Sequence, residues 1–523
     1  PSFLFESVEG GERQGRYSIL SSRPVLEVVA YADHVRVTGH GAAPAPAFGA
    51  AAQWSRIASD PRVKSNPLAA PQMLSSTLDW VECPRGPGAP ALPQCLLGGW
   101  VGLAGYDTVR YVEPEKLSFS TAPRDDRGLP DLHFAFYDGV IVFDHADKLV
   151  IVVQMAMVGA GEDPGEAYDR GVAALARRAD EIQQHSRPLP AGVFTRGGPA
   201  EAAASNVTRE QHAEIVRRAL EYIRAGDIFQ VVLGQRFEKW SSVDPFDVYR
   251  ALRAVNPSPY MVYLQGEGTI LVASSPEILC RVRKKALGTG TSGKNAICRA
   301  SECSGHQVVE VEGPTFVVTN RPLAGTRRRG ATPEEDAALE RELLADQKER
   351  AEHIMLVDLG RNDLGRVCTP GTISLPAVME IERYSHVMHI SSTVMGELRE
   401  GLDCWDALAV TLPVGTISGA PKIRAMQIID ELEPVRRGPY GGGMGYVGLD
   451  GQMDIALALR TIVVPVEKRR GGEWLYHLQA SGGIVADSVA EAEYQETVNK
   501  AAAMLRAIEA AERAFGGVGR SSV

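Results

Sequence analysis

Thr208-Arg209-Glu210-Gln211, followed by Asp227-Ile228-Phe229-Gln230-Val231-Val232-Leu233, decides the fold class. Thr208 with Gln211 spells a capping box. Ile215, Val216, Ala219, Leu220 and Ile223 then fall on one helical face. From Asp227 the pattern changes to a strand. Thr332-Pro333-Glu334-Glu335 opens a second helix with a cap, a proline in the first turn and an acidic third position, predicting a helix through Leu343 towards Val357. Ser488-Val489-Ala490-Glu491 opens a third, which carries Glu493 and Glu496. Val25-Leu26-Glu27-Val28-Val29 and Val140-Ile141-Val142-Phe143 are β-like runs in a first region spanning residues 1–185. Strands interspersed with capped helices, without a regular βαβ alternation, predict an α+β fold with large, mostly antiparallel sheets.

At 523 residues the chain is too long for one ordinary domain. Residues 186–205, rich in Pro, Gly, Ala and Ser, read as a linker between the first region and a second spanning 206–512. Residues 513–523 read as a flexible tail. The composition, 44% hydrophobic and 23% charged, is that of a soluble enzyme, and a net charge of −10 argues against a nucleic-acid partner. Seven scattered cysteines without a Cys-x-x-Cys pair predict free thiols and no zinc site. The longest apolar run, Leu149 to Val153, is strand-length, so no membrane partner is expected. The chain begins at Pro1, which predicts that a segment ahead of it has been removed.

Two glycine motifs imitate nucleotide sites. Gly288-x-x-x-x-Gly293-Lys294 is followed by Asn295, where a phosphate loop needs Ser or Thr, and no apolar helix comes after it. Gly443-x-Gly445-x-x-Gly448 leads into the turn Leu449-Asp450-Gly451, where a dinucleotide site needs a helix, so it reads as a closely packed strand. Glu349 with Glu352, and Glu493 with Glu496, each share one helical face. Alone, each pair suits a solvated face; facing each other, two pairs could hold a hard cation such as magnesium.

Six segments carry a more specific signal. They are Arg321-Pro322-Leu323-Ala324-Gly325-Thr326-Arg327, Ala351-Glu352-His353-Ile354-Met355-Leu356-Val357-Asp358, Ile381-Glu382-Arg383-Tyr384-Ser385-His386-Val387-Met388-His389, Gly415-Thr416-Ile417-Ser418-Gly419-Ala420-Pro421-Lys422, Arg436-Arg437-Gly438-Pro439-Tyr440 and Gln479-Ala480-Ser481-Gly482-Gly483-Ile484-Val485-Ala486-Asp487. In this order they resemble the chorismate-utilising enzymes, and within them the large subunits of anthranilate synthases. Gln230 stands where relatives that add water to chorismate carry a lysine. Ala324 stands where aminodeoxychorismate synthases commonly carry one.

The resemblance implies that helices and antiparallel sheets surround a central cleft. It implies Mg2+ held directly by Glu352 and Glu496, with Glu349 and Glu493 behind, often through water. Tyr440 and Arg460 would grip the enolpyruvyl carboxylate with the N–H groups of Gly482 and Gly483. Ala324, Gly325 and Thr326 would line the ring pocket, and Thr416 would hydrogen-bond the substrate. Glu277 would protonate the departing C4 hydroxyl and His389 would serve the elimination of pyruvate, with His386 as the nearby decoy. Gln230 would orient ammonia, which is nucleophilic without a base. Phe3-Leu4-Phe5-Glu6-Ser7 and Asn256-Pro257-Ser258-Pro259-Tyr260-Met261 resemble the two halves of a tryptophan effector pocket, with Glu6, Ser7, Asn256, Pro257, Pro259, Tyr260 and Met261 as its residues.

The chain has no Gly-x-Cys-x-Gly nucleophile setting, so a separate glutaminase subunit would supply the ammonia. It departs from the family pattern at Phe5, at Gly234 where serine is usual, at Ser481 where glycine is usual, and in an insertion over residues 284–316. Its wording is similar to the plant and algal branch, which implies a plastid stroma. The alternatives are an aminodeoxychorismate synthase component and a catalytically impaired, tryptophan-binding regulatory subunit. Gln230 disfavours isochorismate and salicylate synthases.

Overall fold

A computed structural model describes residues 1–7, 15–40, 48, 51–81, 92–184, 189, 191–192, 203–285, 315–384 and 387–516. Their strands form two eleven-stranded sheets, and the long ladders are antiparallel, as expected. In the first sheet Gln230–Ser241 lies between Gly419–Ala420 and Trp474–Ile484, and Ser2–Glu6 lies between Tyr260–Gly266 and Tyr17–Ser22. In the second, Val387–Glu397 lies between Leu323–Arg328 and Phe316–Arg321, and Ile278–Lys284 leads on to Met453–Leu457 and Gly443–Gly448. Each sheet takes strands from both sides of the 186–205 stretch.

The sheets face each other. Phe3, Leu264, Ala273 and Val463 of the first meet Val101, Ala135, Met444 and Ala456 of the second in one apolar core. Helices Pro245–Val255 and Ala490–Phe515 cover the outer face of the first sheet around Val272, Leu478 and Ile508. Helices Gln347–Gly365 and Cys404–Thr411 help cover the second around Val282, Val394 and Leu408. Helix, sheet, sheet and helix layers follow from strands apolar on both faces. Gly443, Gly445 and Gly448 lie in a strand with neighbours on both sides, and a Cβ at Gly445 would meet the Asp454 carbonyl at 2.1 Å.

Helix Arg209–Ala225 starts with the capping box of Thr208 and Gln211. Several boundaries differ from the sequence reading. The strand after it begins at Gln230 rather than Asp227. The helix opened by Thr332 ends at Ala345, because Asp346 adopts an extended conformation and caps a new helix, Gln347–Gly365, accepting from the N–H groups of Lys348 and Glu349. The C-terminal helix begins at Ala490 without a side-chain cap, and the Ser488 hydroxyl accepts from the Val485 N–H instead. It runs to Phe515, which is buried, so residues 513–515 belong to the helix rather than to a tail. The first region also holds a long helix, Pro164–Gln184, that no cap signal revealed.

At the insertion, Lys284 pairs directly with Phe316, and the Lys285 N–H donates to the Thr315 carbonyl at 2.8 Å. The chain leaves and re-enters at one ladder end. Residues 286–314, with the Gly288–Lys294 motif, lie outside the described residues, as do His386, most of 186–205 and residues 517–523. Cys95, Cys280, Cys368 and Cys404 are free thiols. Among the described residues no helix is long and apolar enough to cross a membrane.

Candidate active site

Glu277 sits where the chain passes from the first sheet, at Thr269–Ser275, to the second, at Ile278–Lys284. It is 2% exposed. Thr416, on the short turn Gly415–Ile417, donates its hydroxyl to Glu277 Oε1 at 2.9 Å, and the Leu323 main chain also bonds the carboxyl. Burial outweighs both bonds and pushes the carboxyl up to about 8. At neutral pH this glutamate carries a proton it can donate.

His389 lies opposite Thr326 in the ladder between Leu323–Arg328 and Val387–Glu397. Its Nδ1 is 3.0 Å from the Gly325 carbonyl and 3.0 Å from Thr326 Oγ1. A carbonyl only accepts, so the proton is assigned to Nδ1 and the lone pair to Nε2. Arg460 Nη2 stands 3.4 Å from Nε2. Burial first, then the Arg460 charge, lower the imidazole to about 4, so it is neutral near pH 7. A bulge at Gly325 presents this carbonyl: its φ is +65°, and a Cβ there would meet Leu343, Ile390 and Glu349 Oε2 at 3.0–3.3 Å. Arg460 holds a left-handed φ of +46°, strain that a non-glycine residue keeps only where its surroundings impose it.

Gly482 and Gly483 form a thin partition. A Cβ at Gly482 would lie 3.1 Å from Glu493 Oε2, and one at Gly483 would lie 2.5 Å from Gln230 Nε2. Successive strand residues point to opposite faces, so the main chain touches the glutamates on one side and the Gln230 amide on the other. Gln230 is buried, and its Oε1 has no hydrogen-bond partner among the described residues.

Two residues to which the sequence assigned no role, Arg437 within a quoted segment and Glu433 outside it, hold this arrangement together. Arg437, fully buried, donates to the carbonyls of Ile417 and Val232, each at 2.7 Å, and pairs with Glu433. Glu433 accepts from the Gly234 N–H at 3.0 Å. Together they join the Gln230 strand, the Thr416 turn and the loop that carries Tyr440. Tyr440 is buried beside Ser481, and burial pushes its phenol up to about 12. The signal available in the sequence was the i, i+4 spacing of Glu433 and Arg437, which looks the same on a solvated helix.

The four glutamates meet electrostatically. Burial pushes Glu352 up to about 7, and Glu349, Glu493 and Glu496 add to it while Lys348 opposes. Glu493 is also raised by burial, and its Oε2 is buried without a partner. Among the described residues no group of three or more His, Cys, Asp or Glu side chains is drawn together around a common point. The all-oxygen donor set and the orphaned Glu493 oxygen nevertheless suit a hard cation. Lys500, another residue the sequence reading missed, pairs with Glu496 at 2.6 Å and donates to the Ser481 carbonyl at 2.9 Å.

A separate cavity of about 430 Å³ adjoins this site. Glu6, Ser7, Pro259 and Tyr260 line it, with Arg281, Arg283 and Asp454. Asn256, Pro257 and Met261 do not: Asn256 bonds Ser274, and Met261 faces the core under the Pro245–Val255 helix. Glu6 accepts from Ser18 and Tyr249, and the Ser7 hydroxyl is buried without a partner. Pro276, Ile278 and Leu323 also line the cavity, so the residues flanking Glu277 form a wall common to both.

A family model described as chorismate binding enzyme matches residues 35–291 and 303–506, and the chain belongs to that family. It is similar to anthranilate synthase alpha subunit 2, chloroplastic, of Arabidopsis thaliana, at 46% identity over 98% of this chain and 78% of that protein. It is 41% identical to anthranilate synthase component 1 of Acetivibrio thermocellus, over 97% of this chain and 90% of that one. Among solved structures, anthranilate synthase component I from Streptococcus pneumoniae TIGR4 superposes with a TM-score of 0.69 at 32% identity, covering 95% of this chain and 93% of that one.

Proposed function

We propose that the chain is the large subunit of a plastid anthranilate synthase, converting chorismate and ammonia to anthranilate, pyruvate and water. The carrying observation is the pairing, in one site, of a buried protonated Glu277 with a neutral His389. Ammonia, oriented by the Gln230 amide, adds at C2 of the ring. Glu277 gives its proton to the C4 hydroxyl, which leaves as water while the ring double bonds shift. The added nitrogen sheds one proton, which restores the Glu277 carboxyl. His389 Nε2 then takes the C2 proton as the C3–O bond breaks and the ring becomes aromatic. The enolpyruvyl group departs as the enolate, whose carbon takes that proton back to give pyruvate. Tyr440, Arg460 and the N–H groups of Gly482 and Gly483 hold the enolpyruvyl carboxylate. Glu352 and Glu496, backed by Glu349 and Glu493, would hold magnesium, which when bound neutralises the ring carboxylate.

Ammonia comes from a partner glutaminase subunit. The second cavity takes tryptophan: Glu6 suits an ammonium group, Arg281 and Arg283 suit a carboxylate, and Phe5, Tyr17 and Tyr446 supply an aromatic wall. Purified chain incubated with chorismate, magnesium and ammonium should develop anthranilate fluorescence. Isochorismate or 4-amino-4-deoxychorismate as the product would refute the assignment.

A further inference from the structure

Glu382 and Arg321 line the second cavity beside Leu323. Glu382 is also the direct ladder partner of His389, across the strands Ser374–Arg383 and Val387–Glu397. Residues directly opposite in an antiparallel pair project to the same face. One strand pair therefore carries both a wall residue of the second cavity and the His389 imidazole.

The two carboxylate oxygens of Glu382 have different partners. Oε2 accepts from the Tyr384 hydroxyl at 2.8 Å. The Tyr384 ring packs edge-on to the His389 ring, with centroids 5.6 Å apart and planes at 61°. That contact and the Nδ1 bond to the Gly325 carbonyl set the direction in which Nε2 points. Oε1 lies 2.6 Å from Arg321 Nη2. This is an ion pair without hydrogen-bond alignment, since Oε1 and Arg321 Nε are both buried and lack a hydrogen-bond partner among the described residues. Arg281 and Arg283, which also line the cavity, are both held by Asp454, at 3.0 and 2.8 Å. A carboxylate entering the cavity competes with Glu382 alone for the Arg321 guanidinium. The Glu382 charge also reaches Glu277, where it adds to burial in retaining the proton.

We propose that Glu382 is a positioning residue for His389, acting through Tyr384, and that its ion pair with Arg321 couples this support to the second cavity. A ligand carboxylate that draws Arg321 to itself leaves Glu382 unpaired. Only 20% exposed, that carboxylate turns toward solvent, and Tyr384 and His389 lose their fixed orientation. The first half rests on His389 as the base of the elimination, the second on tryptophan as the ligand of the cavity.

The test compares the parental chain with Tyr384→Phe and Glu382→Gln. Tyr384→Phe keeps the ring and removes the hydroxyl. It should lower kcat for anthranilate roughly three- to tenfold, the size of one lost hydrogen bond, with chorismate KM within about twofold. The aminated intermediate should appear in the quenched reaction, which a general loss of stability would not produce. Glu382→Gln still offers Tyr384 an acceptor but releases Arg321, so it should resemble the inhibited state. Its uninhibited kcat should fall, and tryptophan should bind at least about fivefold more tightly by equilibrium dialysis while costing less further rate. Tyr384→Phe without the intermediate, whatever its melting temperature, overturns the positioning role; accumulation of that intermediate in His389→Ala then leaves the His389 reading standing. An unchanged tryptophan affinity in Glu382→Gln overturns the coupling. Absence of tryptophan binding by the parental chain overturns the cavity reading and the coupling with it.

Discussion

Glu277 and Glu352 are both glutamates held above the ordinary carboxyl range, and they reach that state differently. Glu277 is 2% exposed among hydrogen-bond donors, and burial, with the Glu382 charge adding to it, raises it to about 8. Glu352 is half-buried, and three further glutamates add to the burial that brings it to about 7. At the first position the neutral form is stable and chemically useful as an acid. At the second the neighbouring carboxylates add to burial in disfavouring the charged form, which a divalent cation would relieve. Removing water is the largest cause at both ends, and at the second end three neighbouring glutamates add to it.

Substitutions at the two ends should separate these causes. Glu277→Gln should have the largest effect, lowering kcat by ~10²–10⁴-fold or more, with neither anthranilate nor the aminated intermediate formed, because the C4 hydroxyl leaves unprotonated. Chromatography of the quenched reaction reads both products; either one at the parental rate would remove Glu277 from the acid role. His389→Ala should lower anthranilate formation by ~10²–10⁴-fold while the aminated, non-aromatic intermediate accumulates. Anthranilate at the parental rate would make the imidazole structural.

At the charged end, Glu352→Gln and Glu496→Gln should raise the magnesium concentration for half-maximal rate by about tenfold, since each removes a charged ligand from a site with few. A full rate at unchanged magnesium would contradict the metal assignment. The smallest effect is expected outside the cleft. Ser7→Phe should fill the second cavity and reduce tryptophan inhibition, read as the ratio of inhibited to uninhibited rate. An unchanged ratio would place the effector elsewhere.

The parts of this molecule that local pattern dictates were legible in the sequence. Thr208 and Gln211 announce their helix, and the i, i+3 spacing of the glutamates places each pair on one face. What depends on strand register was not. Gly234 and Ser481 read as two separate departures until the ladder set them face to face. Met261 and Tyr260 sit in one motif, yet alternation along the strand sends only Tyr260 into the cavity. Arg437 and Glu433 look like a solvated pair, because burial depends on what packs over a helix end. Asp346 broke an expected helix because an aspartate after an apolar run can cap as readily as continue.

The protonation of Glu277 tests the contrast between the two ends most directly. Infrared difference spectra of the wild-type protein minus Glu277→Gln, recorded from about pH 6 to about pH 9, isolate this carboxyl. A protonated C=O band should be present at the acidic end and should disappear with a midpoint near 8, the direction required of a carboxyl raised by burial. A carboxylate band already complete at the acidic end would contradict it, and would leave the C4 hydroxyl without an acid.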